Sequence, residues 1–354
     1  MFGFKRKRED SGGATAVQEP PPPPQIVDDF DGDDEQLFAA IAELSAANAA
    51  GPGREHERRL LRLRHIAGLR LLSDGRRPTH PEPDTAGLPA GPGLPEFTPA
   101  DLTPELLRAA ILRDGCALVR GLVDRDSALA LADEIDRSFE ERERFVASGS
   151  SAEGYYEEIA PFGEHAFQDG QRAWIREGGG VLAADSPMLT AQMLSLFEGA
   201  GIPQLVAGYL GERPLISVQK TTLRKAAPEV GGAWHQDGAF MGDVRALNLW
   251  LSLSRCGDES PGLDIVPKRL EEIVATGTDE AMLSYQVSRA KAEEAAGDVE
   301  IIRPIFEPGD ALFFDELFLH QTGSDPSMPK PRYAVESWFF GGSAFPAGYG
   351  PVAV

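Results

Sequence analysis

The chain has 354 residues, of which 42% are hydrophobic and 25% charged, as is usual for a globular protein. Its formal net charge of −22 argues against a general nucleic-acid-binding function, because neutralising phosphates requires a basic surface. The two cysteines, Cys116 and Cys256, form no C-x-x-C pair, so a disulfide framework and a thiolate zinc site are not expected, and free buried thiols are favoured over a single bridge.

Residues 1–34 are predicted to be a disordered leader. A basic start is followed by Gly, Ser and Ala, by five consecutive prolines (Pro20 to Pro24) and by an acidic cluster, a composition with too few apolar residues to fold. No apolar stretch follows the basic residues, so a secretory signal is not expected. The sequence contains no run of 18 apolar residues, so a membrane span is not expected. We expect a cytoplasmic protein.

Residues 35–96 are predicted to form a helical extension and a linker. Apolar residues recur at helical spacing on both sides of Gly51-Pro52-Gly53, and the second helix is rich in arginine. We expect this helix to pack on the main domain with its arginines and both its histidines, His56 and His65, facing water. The alternative is a basic helix that binds a membrane or a partner. The linker, 76–100, is rich in Pro, Gly and Thr.

The main domain is expected to cover residues 97–345 and to begin with helices. Thr103 is predicted to cap a helix, with Pro104 in its first turn, and Asp124 or Asp126 to cap a second helix that ends near residue 145. A strand over residues 116–120 is expected between them. The next predicted segments are an irregular stretch over 148–187 and a helix over 188–210.

The second half of the domain changes to short strands, which favours a barrel or a sandwich. The predicted strands cover residues 215–224, 246–254, 264–266, 300–306, 311–319 and 333–340. One helical insert is expected over 267–296.

Two histidine-containing segments point to a metal site. In an extended segment, residues two apart project to the same face, so His235 and Asp237 can bind one ion. His320 stands at the end of a very apolar strand. Two imidazoles and one carboxylate on one face of an octahedron leave three positions open, which is the facial triad typical of Fe(II) oxygenases.

Arg332 makes this pattern more specific than an H-x-D pair, which is common by chance. It begins a predicted strand in which Arg332, Ala334, Glu336 and Trp338 share one face. A guanidinium there offers a rigid fork for a carboxylate, as the distal end of 2-oxoglutarate requires.

Several stretches, together with His320 and Arg332, match a known family: Asp114–Leu122, Trp234–Gly238, Ala246–Leu251, Gly262–Lys268 and Pro308–Phe314. Over roughly residues 97–342 the chain resembles the phytanoyl-CoA dioxygenase-like family of Fe(II)/2-oxoglutarate-dependent oxygenases. The resemblance implies an α+β fold, with a double-stranded β-helix core of the jelly-roll or cupin type and flanking helices. The N-terminal helical extension predicted over residues 35–96 has no counterpart in the family.

The resemblance also implies roles for single residues. His235, Asp237 and His320 would bind Fe(II) and act as the catalytic centre. Arg332, helped by Thr322, would bind the 5-carboxylate of 2-oxoglutarate, and Trp250 or Asn248 would line the co-substrate pocket. Relatives that halogenate carry a small residue in place of the metal carboxylate, so Asp237 implies an O2-dependent hydroxylation, or a related desaturation or cyclisation.

The expected substrate is a small molecule, such as a natural product, an amino acid or a lipid-like compound, and the oligomeric state is left open. Alternatives are a non-redox metal-dependent enzyme and a non-catalytic binding protein on the same fold. Further candidates for the walls of the pocket or for substrate contact are Gln219, Thr221, Arg224, His165, Trp174, Tyr155 and Tyr156, with ordinary packing as the alternative for the last three. Asp310 and Asp315 are candidates to hydrogen-bond a ligand imidazole, and for Asp310 a role in a turn is favoured instead.

Overall fold

The computed structural model describes residues 26–72, 77–152, 154–161, 165, 170–229, 231–278, 281 and 284–354. Its α-helices are α1 (Asp34–Ala50), α2 (Arg54–Leu71), α3 (Pro104–Asp114), α4 (Arg125–Ser148), α5 (Gln171–Glu177), α6 (Pro187–Gly199), α7 (Ile202–Leu210), α8 (Gly238–Met241) and α9 (Arg289–Ala296). Its strands are β1 (Glu96–Phe97), β2 (Cys116–Val119), β3 (Gly180–Leu182), β4 (Pro214–Ala226), β5 (Ala246–Ser252), β6 (Gly262–Ile265), β7 (Ala311–Phe314), β8 (His320–Gly323), β9 (Arg332–Gly341) and β10 (Pro351–Ala353).

The strands form one large and one small sheet. The large sheet has eight strands in the order β1-β2-β7-β5-β9-β4-β10, and β3 also pairs with β4. Its pairs are antiparallel except β1 with β2. The small sheet consists of β6 and β8. A mixed chain with a large sheet and flanking helices agrees with the fold class predicted from the sequence.

Isolated bridges extend the small sheet on both sides. His235 pairs with His320 of β8, and Ile302 pairs with Ile265 of β6. Four chain segments therefore lie side by side. An apolar cluster joins this layer to one face of the large sheet, and its members include Leu263, Ile265, Trp250, Leu312, Phe314 and Trp338.

The other face of the large sheet packs against the helices. Side chains alternate along β5, so Leu247, Leu249 and Leu251 belong to the helix-side core, whereas Trp250 belongs to the core between the sheets. The helix-side core also contains Ile111 of α3, Phe197 of α6 and Val206 of α7, among others. Both cysteines are free and buried, as predicted.

The predicted helix caps are confirmed. The Thr103 side chain accepts a hydrogen bond from Leu106 N at 3.2 Å at the start of α3. Asp124 caps α4, because its Oδ1 accepts from the backbone nitrogens of Asp126 and Ser127 at 3.1 and 3.0 Å. The predicted single helix over 188–210 is wrong: it divides into α6 and α7 at Gly201, whose φ of 69° is left-handed.

The predicted helical insert over 267–296 is also wrong, because within its described part only α9 is α-helical. Residues 300–306 form isolated bridges in place of a strand. The strand predicted over 311–319 stops at Phe314, because Asp315 accepts hydrogen bonds from Leu317 N and Phe318 N and turns the chain. β10 was not predicted and pairs with β4.

Residues 1–25 of the predicted leader lie outside the described residues. Residues 26–33 contact α2, where Arg70 donates to Asp28 Oδ2 at 2.8 Å and to the carbonyl of Gly32 at 2.7 Å. His65 is 1% exposed and its Nδ1 lies 2.7 Å from Pro351 O, so its predicted exposure to water is wrong. The reason is that α2 packs against β10. No described helix has both the length and the apolar character needed to cross a membrane.

Candidate metal centre

His235 and His320 are held side by side by the backbone. The His235 N–H donates to His320 O at 3.0 Å, and the His320 N–H donates to His235 O at 3.1 Å. Two residues that exchange both hydrogen bonds in an antiparallel pair project their side chains to the same face. The two imidazole rings accordingly lie 4.4 Å apart between centroids.

Asp237 completes a cluster with the two histidines. The potential ligand atoms of His235, Asp237 and His320 all lie within 4.8 Å of one another. Asp237 and His320 are buried and His235 is half-buried. This donor set can share one divalent cation and leaves part of the coordination sphere open, which suits Fe(II) or another first-row metal.

Backbone carbonyls set the orientation of both rings. The Nδ1 of His235 lies 2.8 Å from Ala233 O, and the Nδ1 of His320 lies 3.1 Å from Phe318 O. A carbonyl oxygen only accepts, so each Nδ1 carries a hydrogen and each Nε2 lone pair is available to a metal.

Asp310 and Asp315, which were predicted as possible partners of the ligand imidazoles, bind other groups. Asp310 accepts from Arg120 Nη1 at 2.7 Å and from Gly121 N at 2.8 Å. Asp315 accepts from Leu317 N at 3.1 Å and pairs with Arg269. The interpretation of these residues as imidazole partners is therefore wrong, and both shape turns.

The electrostatics keep the ligand atoms in metal-binding form. Burial, with a contribution from His235, lowers the pKa of His320 to about 4, so its imidazole is neutral at pH 7. Burial alone would raise the pKa of Asp237, but the neighbouring Lys220 and the two imidazoles outweigh it and hold this pKa below its usual value. Asp237 is therefore ionised.

Gln236, between two of the ligand residues, fixes the segment in place. It is fully buried, and its Nε2 donates to Leu317 O at 2.6 Å and to Glu272 O at 3.2 Å. Its Oε1 accepts from Val274 N at 2.7 Å. One amide thus ties the H-x-D segment to the loop before β8 and to the 272–274 loop. Sequence reasoning did not single out this residue.

Arg332 lies on the inner face of the large sheet with part of its hydrogen-bonding capacity unused. It is 1% exposed, and its Nη1 donates to Gly262 O at 3.0 Å. Its Nη2 is 3.8 Å from Glu336 Oε1, and its guanidinium carbon lies 5.3 Å from the Trp250 ring centroid. Within the described chain, three buried atoms of this face have no hydrogen-bond partner: Arg332 Nε, Trp250 Nε1 and Asn248 Oδ1.

Unpartnered buried polar atoms are costly, so the two donors among them, Arg332 Nε and Trp250 Nε1, suit an anionic ligand. Thr322 lies on the facing sheet. Its register partner is Leu263, and that of His320 is Ile265. Thr322 and His320 thus share one face of the small sheet, and Arg332, Trp250 and Asn248 share one face of the large sheet.

Three charged residues on the same inner face complete the site. Lys220 of β4 places its Nζ 3.3 Å from Asp237 Oδ1. Arg224 places its Nε 2.9 Å from Glu336 Oε2. Sequence reasoning missed Lys220; Glu336 was placed on the face of Arg332 without a role.

The other candidate wall residues of β4 face elsewhere. The hydroxyl of Thr221 lies 3.3 Å from that of Ser337, and Gln219 donates through Nε2 to His165 O at 2.9 Å. Of the three residues proposed from the sequence, only Arg224 contacts Glu336, which shares the face of Arg332.

The aromatic candidates have mixed outcomes. Tyr155 and Tyr156 are buried in packing with α4, where Arg137 stacks 4.0 Å from the Tyr155 ring centroid and Phe145 lies 5.3 Å from Tyr156. Packing is therefore their role. Trp174 of α5 is 52% exposed.

No protein-family model matches the sequence, and no curated protein matches it. Among solved structures, the chain is similar to EctD from S. alaskensis with bound Fe (17% identity, 76% of this chain and 87% of that chain covered, TM-score 0.47). It is also similar to SnoK, a non-heme alpha ketoglutarate dependent carbocyclase from nogalamycin biosynthesis (16%, 71% and 87%, TM-score 0.46). A third is the epimerase SnoN in complex with Fe3+, alpha ketoglutarate and nogalamycin RO (20%, 67% and 83%, TM-score 0.41). At this level of likeness, the function rests on the residues of the site itself.

Proposed function

We propose that this protein is an Fe(II)- and 2-oxoglutarate-dependent dioxygenase that hydroxylates an unactivated C–H bond of a small molecule. The observation that carries the proposal is the triad geometry. The backbone pairing of His235 with His320 aligns two imidazoles with free Nε2 atoms, and the carboxylate of Asp237 lies within 4.8 Å of them. Two imidazoles and one carboxylate with open positions are the donor set of non-haem Fe(II) oxygenases.

We further propose that the two sheets form a double-stranded β-helix. In support, the small sheet has four neighbouring segments when its bridges are included, and it shares an apolar core with the large sheet. The metal ligands would then stand at one end of this core, with Arg332 across it on the large sheet.

Arg332 is the residue that would hold 2-oxoglutarate. Its planar fork suits a carboxylate, and Arg332 Nε lacks a partner among the described residues. The indole N–H of Trp250, the amide of Asn248 and the hydroxyl of Thr322 would supply further polar contacts. Because Arg332 is buried, water would be excluded from its ion pair with the co-substrate carboxylate, and the pair would be stronger than at the surface.

The chemistry comes from the bound Fe(II), 2-oxoglutarate and O2, which together can oxidise an unactivated C–H bond. The share of the protein is binding and orientation. His235, Asp237 and His320 would hold the iron, and three protein ligands leave room for exchangeable ligands. The Nδ1 hydrogen bonds to Ala233 O and Phe318 O keep both rings from rotating.

Succinate release tests this function against its rivals. Protein loaded with Fe(II) in air is expected to convert 2-oxoglutarate to succinate, slowly without the primary substrate, and Asp237→Ala is expected to abolish this turnover. Protein loaded with Zn(II) serves as a control and is expected to give none. No succinate from the iron-loaded protein, with hydrolysis or isomerisation by the Zn(II) form, would favour a non-redox metalloenzyme. Ligand binding without turnover by either form would favour a binding protein.

A further inference from the structure

A cavity lies between the N-terminal helical extension and the helices that cover the large sheet. Its volume is about 830 Å³, which is in the range of small-molecule binding sites. Most of its wall consists of residues of α1, α2, α6 and α7. None of the lining residues belongs to the candidate metal centre, so a ligand in this cavity would occupy a second site.

The cavity is elongated and has a charged group at each end of one wall. Its lining residues on α6 run from Pro187 to Glu198, eleven positions that span about 16 Å at the rise of an α-helix. On α2 the lining residues are Glu57, Leu60, Leu61 and Arg64. Residues three, four and seven positions apart share one face of a helix, so these four side chains form a row with two leucines between the charges.

Glu57 is a buried carboxylate with one oxygen that has no partner. It is 4% exposed, and its Oε2 accepts no hydrogen bond within the described chain. The arginines beside it are engaged elsewhere, because Arg58 pairs with Glu157 at 2.7 Å and Arg54 lies over the Tyr155 ring at 5.7 Å. Burial raises the pKa of Glu57, although both arginines oppose the shift. An unpartnered buried acceptor is costly, so this end suits a ligand group that donates a hydrogen bond. Since Arg54 adds a positive charge nearby, a neutral hydroxyl is favoured over an ammonium.

The other end of the row carries two guanidinium groups. Arg64 donates through Nη1 to Ala353 O at 3.0 Å and through Nη2 to Ser45 Oγ at 3.4 Å, so these hydrogen bonds go to neutral acceptors. Arg213 also lines the cavity, and its guanidinium carbon lies 3.8 Å from the centroid of the Phe38 ring. Neither hydrogen bonds to neutral groups nor ring stacking neutralises the charge of a guanidinium.

The carboxylates at this end do not neutralise the two arginines. Within the part of the chain that the structure describes, no ion pair joins Arg64 or Arg213 to Glu198 or Val354, which also line the cavity. Burial lowers the pKa of Arg64, and the attraction of Glu198 does not offset this effect, to which Arg213 adds. A bound anion would stabilise the charged forms of both groups, and the planar fork of a guanidinium suits a carboxylate.

We propose that this cavity binds an extended carboxylic acid with a hydroxyl group at the far end of an apolar chain. The carboxylate pairs with Arg64 and Arg213, the hydroxyl donates to Glu57, and the chain contacts Leu60 and Leu61. Glu57 and Arg64 are seven positions apart, about 10 Å along the helix axis, which sets the length of the ligand. This site does not depend on the proposed function of the metal centre.

The test compares hydroxy acids with analogues that lack one of the two polar ends. Calorimetric titrations of the full chain use the ω-hydroxy derivatives of octanoate, decanoate and dodecanoate, the three unsubstituted acids and the three matching α,ω-diols. At least one hydroxy acid is expected to bind the wild type about tenfold or more tightly than both its unsubstituted acid and its diol, because each end makes a hydrogen bond with a charged group.

Variants of the two end residues locate the site. Glu57→Leu is expected to remove the preference for the hydroxyl, and Glu57→Gln, which keeps an acceptor, to retain part of it. Arg64→Met is expected to reduce the preference for the carboxylate, and Arg64→Lys to reduce it less. The matched controls are Glu55→Gln and Arg62→Met, which lie on α2 but outside the cavity wall and are expected to bind all ligands like the wild type.

Several results would overturn the proposal. One is that no hydroxy acid binds the wild type more tightly than its unsubstituted acid and its diol. Another is that Glu57→Leu and Arg64→Met keep the preferences of the wild type. Binding that is lost in Arg332→Met but unchanged in Arg64→Met would assign the acids to the candidate metal centre and contradict a second site. Should an apolar variant not fold, the conservative variant decides, and Glu57→Gln or Arg64→Lys with wild-type preferences would contradict the proposal.

Discussion

Gly232 and Thr322 approach each other so closely that no side chain fits between them. A Cβ at position 232 would lie 2.9 Å from Thr322 Cα and closer still to its backbone nitrogen. The Gly232 N–H donates to Thr322 O at 3.2 Å. This contact lies three residues before His235 and two after His320, so it holds the two ligand segments at the distance that their backbone pairing requires.

We predict that Gly232→Ala weakens metal binding. The added methyl group must push residue 232 away from Thr322, which separates His235 from His320, and overpacking of this kind typically costs about 1–3 kcal/mol. Calorimetry with a divalent metal would measure the affinity. Gly231→Ala is the matched control, because the nearest atom to a Cβ there is Ser324 Oγ at 3.7 Å. Equal metal affinity of the two variants would show that the close approach has no functional role.

Arg332→Met is predicted to abolish 2-oxoglutarate binding at concentrations that saturate the wild type, with metal binding retained. Removing one partner of a buried charge pair costs about 3–5 kcal/mol, which is more than a hundredfold in affinity. Arg332→Lys keeps the charge but loses the two parallel donors of the guanidinium. Its affinity for 2-oxoglutarate is expected to lie between those of the wild type and Arg332→Met. Arg303→Met is the control, since Arg303 pairs with Asp264 through Nε at 2.6 Å and not with the predicted co-substrate residues. A normal 2-oxoglutarate affinity in Arg332→Met would exclude this residue from the co-substrate site.

His65 is predicted to make the stability of the fold pH-dependent. Burial lowers its pKa from 6.5 to about 4, so between these values the unfolded chain takes up a proton that the folded chain does not. The contribution of neutral His65 to the free energy of unfolding is therefore fully present above pH 6.5 and is lost as the pH falls towards 4. From pH 7 to pH 5 the wild type should lose roughly 2 kcal/mol more unfolding free energy than His65→Gln.

Denaturant titrations at the two pH values would measure this difference. Parallel pH dependences of the wild type and His65→Gln would contradict the burial of a neutral imidazole against Pro351.

The cap of α4 gives a prediction for stability alone. Asp124→Ala should lower the free energy of unfolding by about 1 kcal/mol, because two backbone N–H groups lose their acceptor. Asp126→Ala, in the first turn of the helix, should cost less. Thermal unfolding of both variants would measure the two losses of stability. A larger loss for Asp126→Ala would contradict the assignment of Asp124 as the cap.

The metal cluster was predictable because its geometry depends on short-range rules. The rule that residues two apart in an extended segment share a face predicted His235 beside Asp237, although Asp237 itself has helical backbone angles at the start of α8. The same rule predicted one shared face for Arg332, Ala334, Glu336 and Trp338. The strand register pairs Glu336 with Thr222 of β4. What no local rule predicted was the direct backbone pairing of His235 with His320, which are 85 positions apart.

Other features escaped prediction because tertiary contacts override local patterns. The register of β4 shifts between Ile216 and Thr221, so simple alternation does not show that Lys220 faces the site. The 272–274 loop resembled a helix in sequence, but the buried amide of Gln236 takes the Val274 N–H and donates to the Glu272 carbonyl. Such competition for backbone groups is not visible in apolar periodicity.

The central claim is that His235, Asp237 and His320 hold an iron that accepts 2-oxoglutarate as a chelating ligand. An anaerobic titration of Fe(II)-loaded protein with 2-oxoglutarate, followed by visible absorption, tests it most directly, with the iron content measured in parallel. We predict a weak metal-to-ligand charge-transfer band that grows to saturation in the wild type and is absent from His320→Ala. Iron-loaded wild-type protein that shows no such band would contradict the account.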